Sequence, residues 1–223
     1  MNEIELEFTT NILKPWDDLN QLLSERLVLE PKISELTRLS KDLAKNIHHH
    51  TDYFIKKNGG NDTDVKKERK AIHIASHENK IIGDVADTSK HFDLRDTNRI
   101  ALIQLSSSFE YKTDKFCFMR NLSKINYQNT ADTFCFLKTS YEAIHYLLSH
   151  FNMNITFERS VTENGDEFFD EAWLYHDSNK SISVKSSKIE FLEKNNEGHY
   201  IHVNPKEVRF AVYNKHEETN NLP

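Results

Sequence analysis

The spacing of apolar residues changes period near Arg99, and that change limits the folds open to this chain. Ahead of it, apolar positions recur every three or four residues, the repeat of one helix face. After it they alternate, the repeat of a strand. A chain patterned this way is expected to be α+β: an N-terminal helical hairpin or bundle, then a mainly antiparallel β-sheet with one packed helix. The matching domain expectation is helical over 1–95, sheet plus one helix over 96–215, and a disordered tail at 216–223.

Within the first part, Pro15 precedes Trp16, Leu19, Leu22, Leu23 and Leu27, which predicts a helix from Pro15 to Leu29, because proline is tolerated in a first turn. A second, longer helix is predicted to follow Pro31. Its stripe is Ile33, Leu36, Leu39, Leu43, Ile47 and Phe54, and Asn58-Gly59-Gly60 supplies the left-handed angles that end it. A third helix is predicted from Val65 to His91, capped by Asp62 or Asp64, with Ala71, Ile74, Ile81, Val85 and Phe92 along one side. The second and third helices, joined by so short a loop, are expected to pack antiparallel.

In the second part, residues 100–111 alternate and Thr113-Asp114 reads as a turn into Lys115–Met119. A short strand at Thr133–Leu137 comes next. Thr139-Ser140-Tyr141-Glu142 has the form of a capping box, so a helix is predicted there, burying Ala143, Ile144, Leu147, Leu148 and Phe151. Ile155–Val161 and Glu167–Tyr175 flank Asn164-Gly165 as an expected hairpin, and 181–191 and 200–213 supply further strands.

Composition excludes several activities. Five glycines leave neither a Gly-x-Gly-x-x-Gly nor a Walker loop for nucleotide phosphates. Cys117 and Cys135 make no Cys-x-x-Cys pair and sit among phenylalanines, as small buried hydrophobes do. No apolar run is long enough for a bilayer, and Met1–Phe8 lacks a signal-peptide pattern, so a reduced, cytoplasmic setting without membrane attachment is expected. The 29 basic and 35 acidic residues are spread evenly along the chain. The one basic run is Lys66, Lys67, Arg69 and Lys70, placed early in a predicted helix where cations oppose the dipole. It is the candidate nucleic-acid contact.

Twelve histidines are the other unusual feature. His73 and His77, four apart on one predicted helix, share a face. With a rise of about 1.5 Å per residue on each leg of the hairpin, His50 comes level with His73. His50, His73 and His77 are therefore the candidate metal ligands, with zinc the implied ion if a cofactor is used at all. A solvated helix face or ordinary interhelical hydrogen bonding is the commoner role for histidines so placed.

The stretch Gly83-Asp84-Val85-Ala86-Asp87-Thr88-Ser89-Lys90-His91-Phe92-Asp93-Leu94, polar and acidic and then Lys-His at a helix end, resembles the late helix of HEPN-type bundles, over residues 30–95. The resemblance implies a defence or counter-defence setting in bacteria or phages, which the abundance of asparagine, as in AT-rich coding DNA, also fits. It offers His91 as a general base. The family's arginine four to six residues ahead of that histidine is absent. The expectation is thus a binding protein rather than an enzyme, docking a protein partner or a second copy through its helical hairpin. A HEPN-type or metal-assisted nuclease using the helical histidines, or a nucleic-acid-binding module, are the alternatives.

Overall fold

A computed structural model describes residues 1–27, 32–90, 94, 96–162, 167–177 and 188–215; the side chains of residues 32 and 33 are not described. The protein is α+β. Helices α1 (Glu3–Phe8) and α2 (Lys14–Ser24) are joined by a π-helical stretch, Thr9–Leu13. Then come α3 (Lys32–Lys57), α4 (Asp62–Ala75), α5 (His77–Lys90), β1 (Ala101–Lys112), β2 (Lys115–Tyr127), β3 (Thr133–Cys135) and α6 (Phe136–His150). Strands β4 (Ala172–His176), β5 (Ile189–Lys194), β6 (Tyr200–Val203) and β7 (Phe210–Asn214) complete the described elements.

The strands form a mostly antiparallel sheet in the order β3-β2-β1-β5-β6 and a two-stranded sheet β4-β7. Thr113 and Asp114 turn β1 into β2 with positive φ at both positions (52° and 61°), the twist a two-residue hairpin needs. β1 and β5 run parallel, with Ser107 opposite Ile189 and Phe109 opposite Phe191.

The chain divides into two compact units, each discontinuous in sequence. The first comprises 1–20, 37–104 and 123–161; the second comprises 21–36, 105–122 and 162–223. Helix α6, although it follows residue 96, belongs with the helices of the first unit. The core of that unit gathers Phe8, Ile12, Trp16, Leu43, Ile47, Ile82, Phe136 and Ile144. Trp16 is fully buried and its indole Nε1 donates to Ser140 Oγ (3.0 Å) and to the Leu137 carbonyl (3.2 Å), so its one polar atom is satisfied. Asn79 Nδ2 donates to the Ala143 carbonyl at 3.1 Å, tying α5 to α6.

In the second unit Phe109, Phe116, Phe118, Ala172 and Leu174 form the buried cluster, with Phe191 and Val212 packed against it. Trp173 lies under the guanidinium of Arg26, 4.0 Å from the ring centroid, with Phe118 and Phe169 also beside that cation. Burial lowers the pKa of Arg26, and the aromatic faces supply the electrostatic contact that water no longer gives.

Several boundaries differ from the sequence expectation. The predicted helix over 65–91 is two helices, broken at Ser76, whose backbone is extended (φ −128°, ψ 113°). The Ser76 hydroxyl accepts from the Asn79 backbone N–H (3.1 Å), so serine caps α5 instead of continuing α4. Helix α6 starts at Phe136, one turn ahead of the expected capping box. There Phe136 and Leu137 gain burial, and Ser140 is turned inward to Trp16. Residues 155–161 form no strand. Phe157 is buried, Asn20 Nδ2 donates to the Ser160 carbonyl (3.0 Å) and Arg159 pairs with Asp17 (3.0 Å), so side chains rather than a ladder hold the segment. β4 pairs in parallel with β7, Trp173 opposite Ala211. The Asn164-Gly165 turn and the tail 216–223 lie outside the described residues. No helix among the described residues is long and apolar enough to cross a membrane.

Candidate functional site

The first unit carries a polar site whose residues come from α3, α4, α5, the 3-10 turn Thr97–Arg99 and the end of β2. Asn61 caps α4 just past Gly59-Gly60, its side chain accepting from Thr63 N at 2.8 Å. The two legs then run antiparallel. Asp52 meets Arg69, and the His48 ring lies tilted beside that of His73, with centroids 5.6 Å apart. This register places His48, rather than His50, beside His73. Two positions along a helix turn a side chain by about 200°, so His50 faces away.

Glycine makes the close approach possible. A Cβ on Gly83 would lie 2.8 Å from His73 Cε1 and 3.1 Å from His48 Nδ1, inside van der Waals contact for any other residue. Both imidazoles therefore rest on the α5 backbone. Burial, assisted by the Arg69 charge, pushes the His48 pKa down to about 3, against the opposing pull of Asp87, so the ring is neutral at pH 7. His73 is lowered too, first by burial, with Asp84 opposing.

Next to these rings Asp84 is 2 % exposed. A carboxylate so placed needs charge-assisted partners. Arg99 Nε donates to Asp84 Oδ1 at 2.7 Å, and the Tyr127 hydroxyl donates to Oδ2 at 3.0 Å. Arg99 Nη2 donates to Asp87 Oδ2 at 2.8 Å, and His48 Nε2 stands 4.0 Å from Asp87 Oδ1. Burial works to lower the Arg99 pKa, but the two carboxylates outweigh it and raise it. Tyr127 is raised by burial and then by Asp84, and stays a donor.

Two recesses open on either side of this network. The larger, about 470 Å³, is an open cleft lined by His48, Arg69, Lys70, His73 and Ile74. The smaller, about 300 Å³, is lined by His77, Asp96, Tyr127, Asp132 and Phe134. Lys80, Asp84 and Arg99 line both. In the larger cleft Arg69 pairs with Asp52 and Arg99 with both Asp84 and Asp87, while Lys70 and Lys80 make no ion pair among the described residues. The balance leaves an excess of positive charge beside neutral imidazoles, a setting suited to an anion.

The sequence candidates separate. Arg69 and Lys70 line the cleft, while Lys66 and Lys67 are exposed outside it. His73 is in the cleft, and His77 is across the Ser76 break with its ring edge-on to Phe134 at 5.9 Å. His50 Nδ1 lies 2.9 Å from Glu7 Oε2 against Phe8, where burial lowers its pKa against the pull of Glu7. The three expected ligands thus do not converge, and no group of three or more His, Cys, Asp or Glu among the described residues is arranged to hold a metal. His91 lies outside the described residues. Lys80, Arg99 and Tyr127 were not legible as site residues. The available signals were Gly83, a glycine inside an apolar helix pattern, and Asp84 with Asp87, three apart on one face. Comparison with family models, with curated proteins and with solved structures finds no match to this chain.

Proposed function

We propose that this protein is a non-enzymatic binding protein that grips nucleic-acid phosphate in the cleft on its α3–α4 hairpin. The observation supporting this is the convergence of Arg69, Lys70, Lys80 and Arg99 on one open cleft. Its carboxylates are already engaged by Arg99. Cations beyond those that balance local carboxylates are what a phosphodiester backbone neutralises on binding. Neutral His48 and His73 add polar nitrogens without adding repulsion to the rim.

Docking of a protein partner through the same hairpin is the second reading. One feature favours it: Ile74, on the cleft wall, is 77 % exposed, as an apolar contact at a protein interface would be in the free chain. A defence or counter-defence setting rests on the HEPN resemblance and the asparagine-rich composition.

The two readings part in an electrophoretic retardation assay with labelled single- and double-stranded oligonucleotides. Nucleic-acid binding gives retardation that Lys70→Glu with Lys80→Glu abolishes and Ile74→Ala leaves intact. Absence of retardation at low salt, for the native chain, sinks the phosphate reading.

A further inference from the structure

The smaller recess has no part in gripping phosphate, yet it shares Lys80, Asp84 and Arg99 with the cleft that does. The two recesses adjoin at Lys80, Asp84 and Arg99, as the sites for the phosphate and the base of one nucleotide must adjoin. At about 300 Å³ the recess stands at the lower end of the ~300–1,000 Å³ range of small-ligand sites, room for one ring system and not for a base pair.

Its walls and its polar edge differ in character. The rings of His77 and Tyr127 make T-shaped pairs with Phe134, at 5.9 and 6.2 Å, and all three line the recess with aromatic surface of the kind a base packs on. Tyr127 is fixed, because its hydroxyl is spent on Asp84. The polar edge carries two carboxylates, Asp96 and Asp132, beside Asn98 and Thr130. Asp96 Oδ1 receives the Asn98 N–H (3.1 Å) and Asp132 Oδ2 receives the Thr130 hydroxyl (2.9 Å). The second oxygen of each carboxylate takes no hydrogen bond from the described residues. Carboxylates accept only, and the Lys80 ammonium donates only.

Among the nucleobases one edge answers that pattern. Guanine presents two adjacent donors, N1–H and the N2 amino group, to an acceptor edge, and two acceptors, O6 and N7, to a cation. Adenine and cytosine place an acceptor nitrogen beside their single amino donor, and uracil flanks one N–H with two carbonyls. Each would set a lone pair against a carboxylate. We propose that this recess binds an unpaired guanine whose phosphate lies in the adjoining basic cleft. Since the guanine edge used is the pairing edge, the strand is single. The assignment rests on the phosphate reading above and names the nucleic acid it takes.

The test uses the full chain and fluorescein-labelled RNA dodecamers of alternating adenine and guanine, of adenine alone and of uracil alone, with GMP and AMP as competitors. The alternating strand is expected to bind about tenfold more tightly than either homopolymer, and GMP to compete where AMP does not. Asp96→Asn with Asp132→Asn, at two exposed positions where asparagine keeps both observed contacts, is expected to erase the preference while leaving homopolymer binding in place. Equal binding of all three strands overturns the guanine assignment and leaves the phosphate reading standing. Binding of GMP without binding of any strand overturns the single-strand assignment. Failure of every probe overturns the phosphate reading itself.

Discussion

Arg99 Nε stands 2.7 Å from Asp84 Oδ1, and this pair joins α5 to the turn that leads into β1. Asp84 is buried and Arg99 is partly exposed, so the two partners are not equivalent. Removing the cation leaves a buried carboxylate with the Tyr127 hydroxyl as its remaining described donor. Arg99→Ala is expected to lower stability by about 2 kcal/mol, the figure for losing a charge-assisted bond while solvent reaches part of the vacancy. Asp84→Asn, which removes the buried charge itself, is expected to cost less. Urea unfolding of both variants checks the order.

Gly83 tests the histidine packing. A methyl group there meets the His73 ring at 2.8 Å and His48 at 3.1 Å, and one of the two rings must move. Gly83→Ala is expected to destabilise by about 1–3 kcal/mol, as overpacking does, despite the better helix propensity of alanine. Thermal unfolding measures the loss, and the ring proton shifts of His73 report the displacement.

Much of the fold is legible in local sequence. Gly59-Gly60 stops α3 because a left-handed residue is needed at Gly59, and Thr113-Asp114 turns β1 into β2 with Asp114 a residue that tolerates positive φ and Thr113 held there against its β-branch. Ser76 carries a legible cap signal, yet Ile74 and Ile81 on either side of it keep helical phase seven residues apart, and that phase misleads. What local pattern does not carry is long-range pairing. Nothing within Ala172–His176 says that it will run parallel to Phe210–Asn214. The site is illegible for the same reason: Asp84 and Tyr127 are 43 positions apart and meet only when β2 returns beside α5. The histidine register fails by two residues because it depends on which side of a helix faces its partner, and counting rise alone does not set that.

Acid should weaken the fold in a defined window. His48, His50 and His73 all have folded-state pKa values below the usual histidine range, each mainly through burial. The unfolded chain therefore binds protons that the folded chain refuses. Stability from these groups is complete above about pH 6.5 and is lost as the pH falls toward the folded values, about 3 for His48. Each neutral histidine contributes a slope of up to roughly 1.4 kcal/mol per pH unit below that point. Urea midpoints measured between about pH 7.5 and 5 should fall, and His48→Gln should make the fall shallower.

In the second unit, Arg26 over Trp173 supplies a separate check. Arg26→Met keeps an apolar chain and removes the cation facing three rings. A loss of about 1 kcal/mol, with a change in tryptophan emission, is expected for a half-buried cation–π contact.

The cleft's affinity for nucleic-acid phosphate is most directly measured by the salt dependence of oligonucleotide binding, comparing the native chain with two charge reversals at exposed lysines. Lys70→Glu with Lys80→Glu changes the cleft, and Lys66→Glu with Lys67→Glu changes the same hairpin outside it. The expected result is a linear fall of log affinity with log salt. The first reversal should weaken binding at least tenfold and reduce the slope by about 2, and the second should leave both within twofold. Affinity insensitive to salt, or equal losses from the two reversals, would contradict a phosphate grip at this cleft.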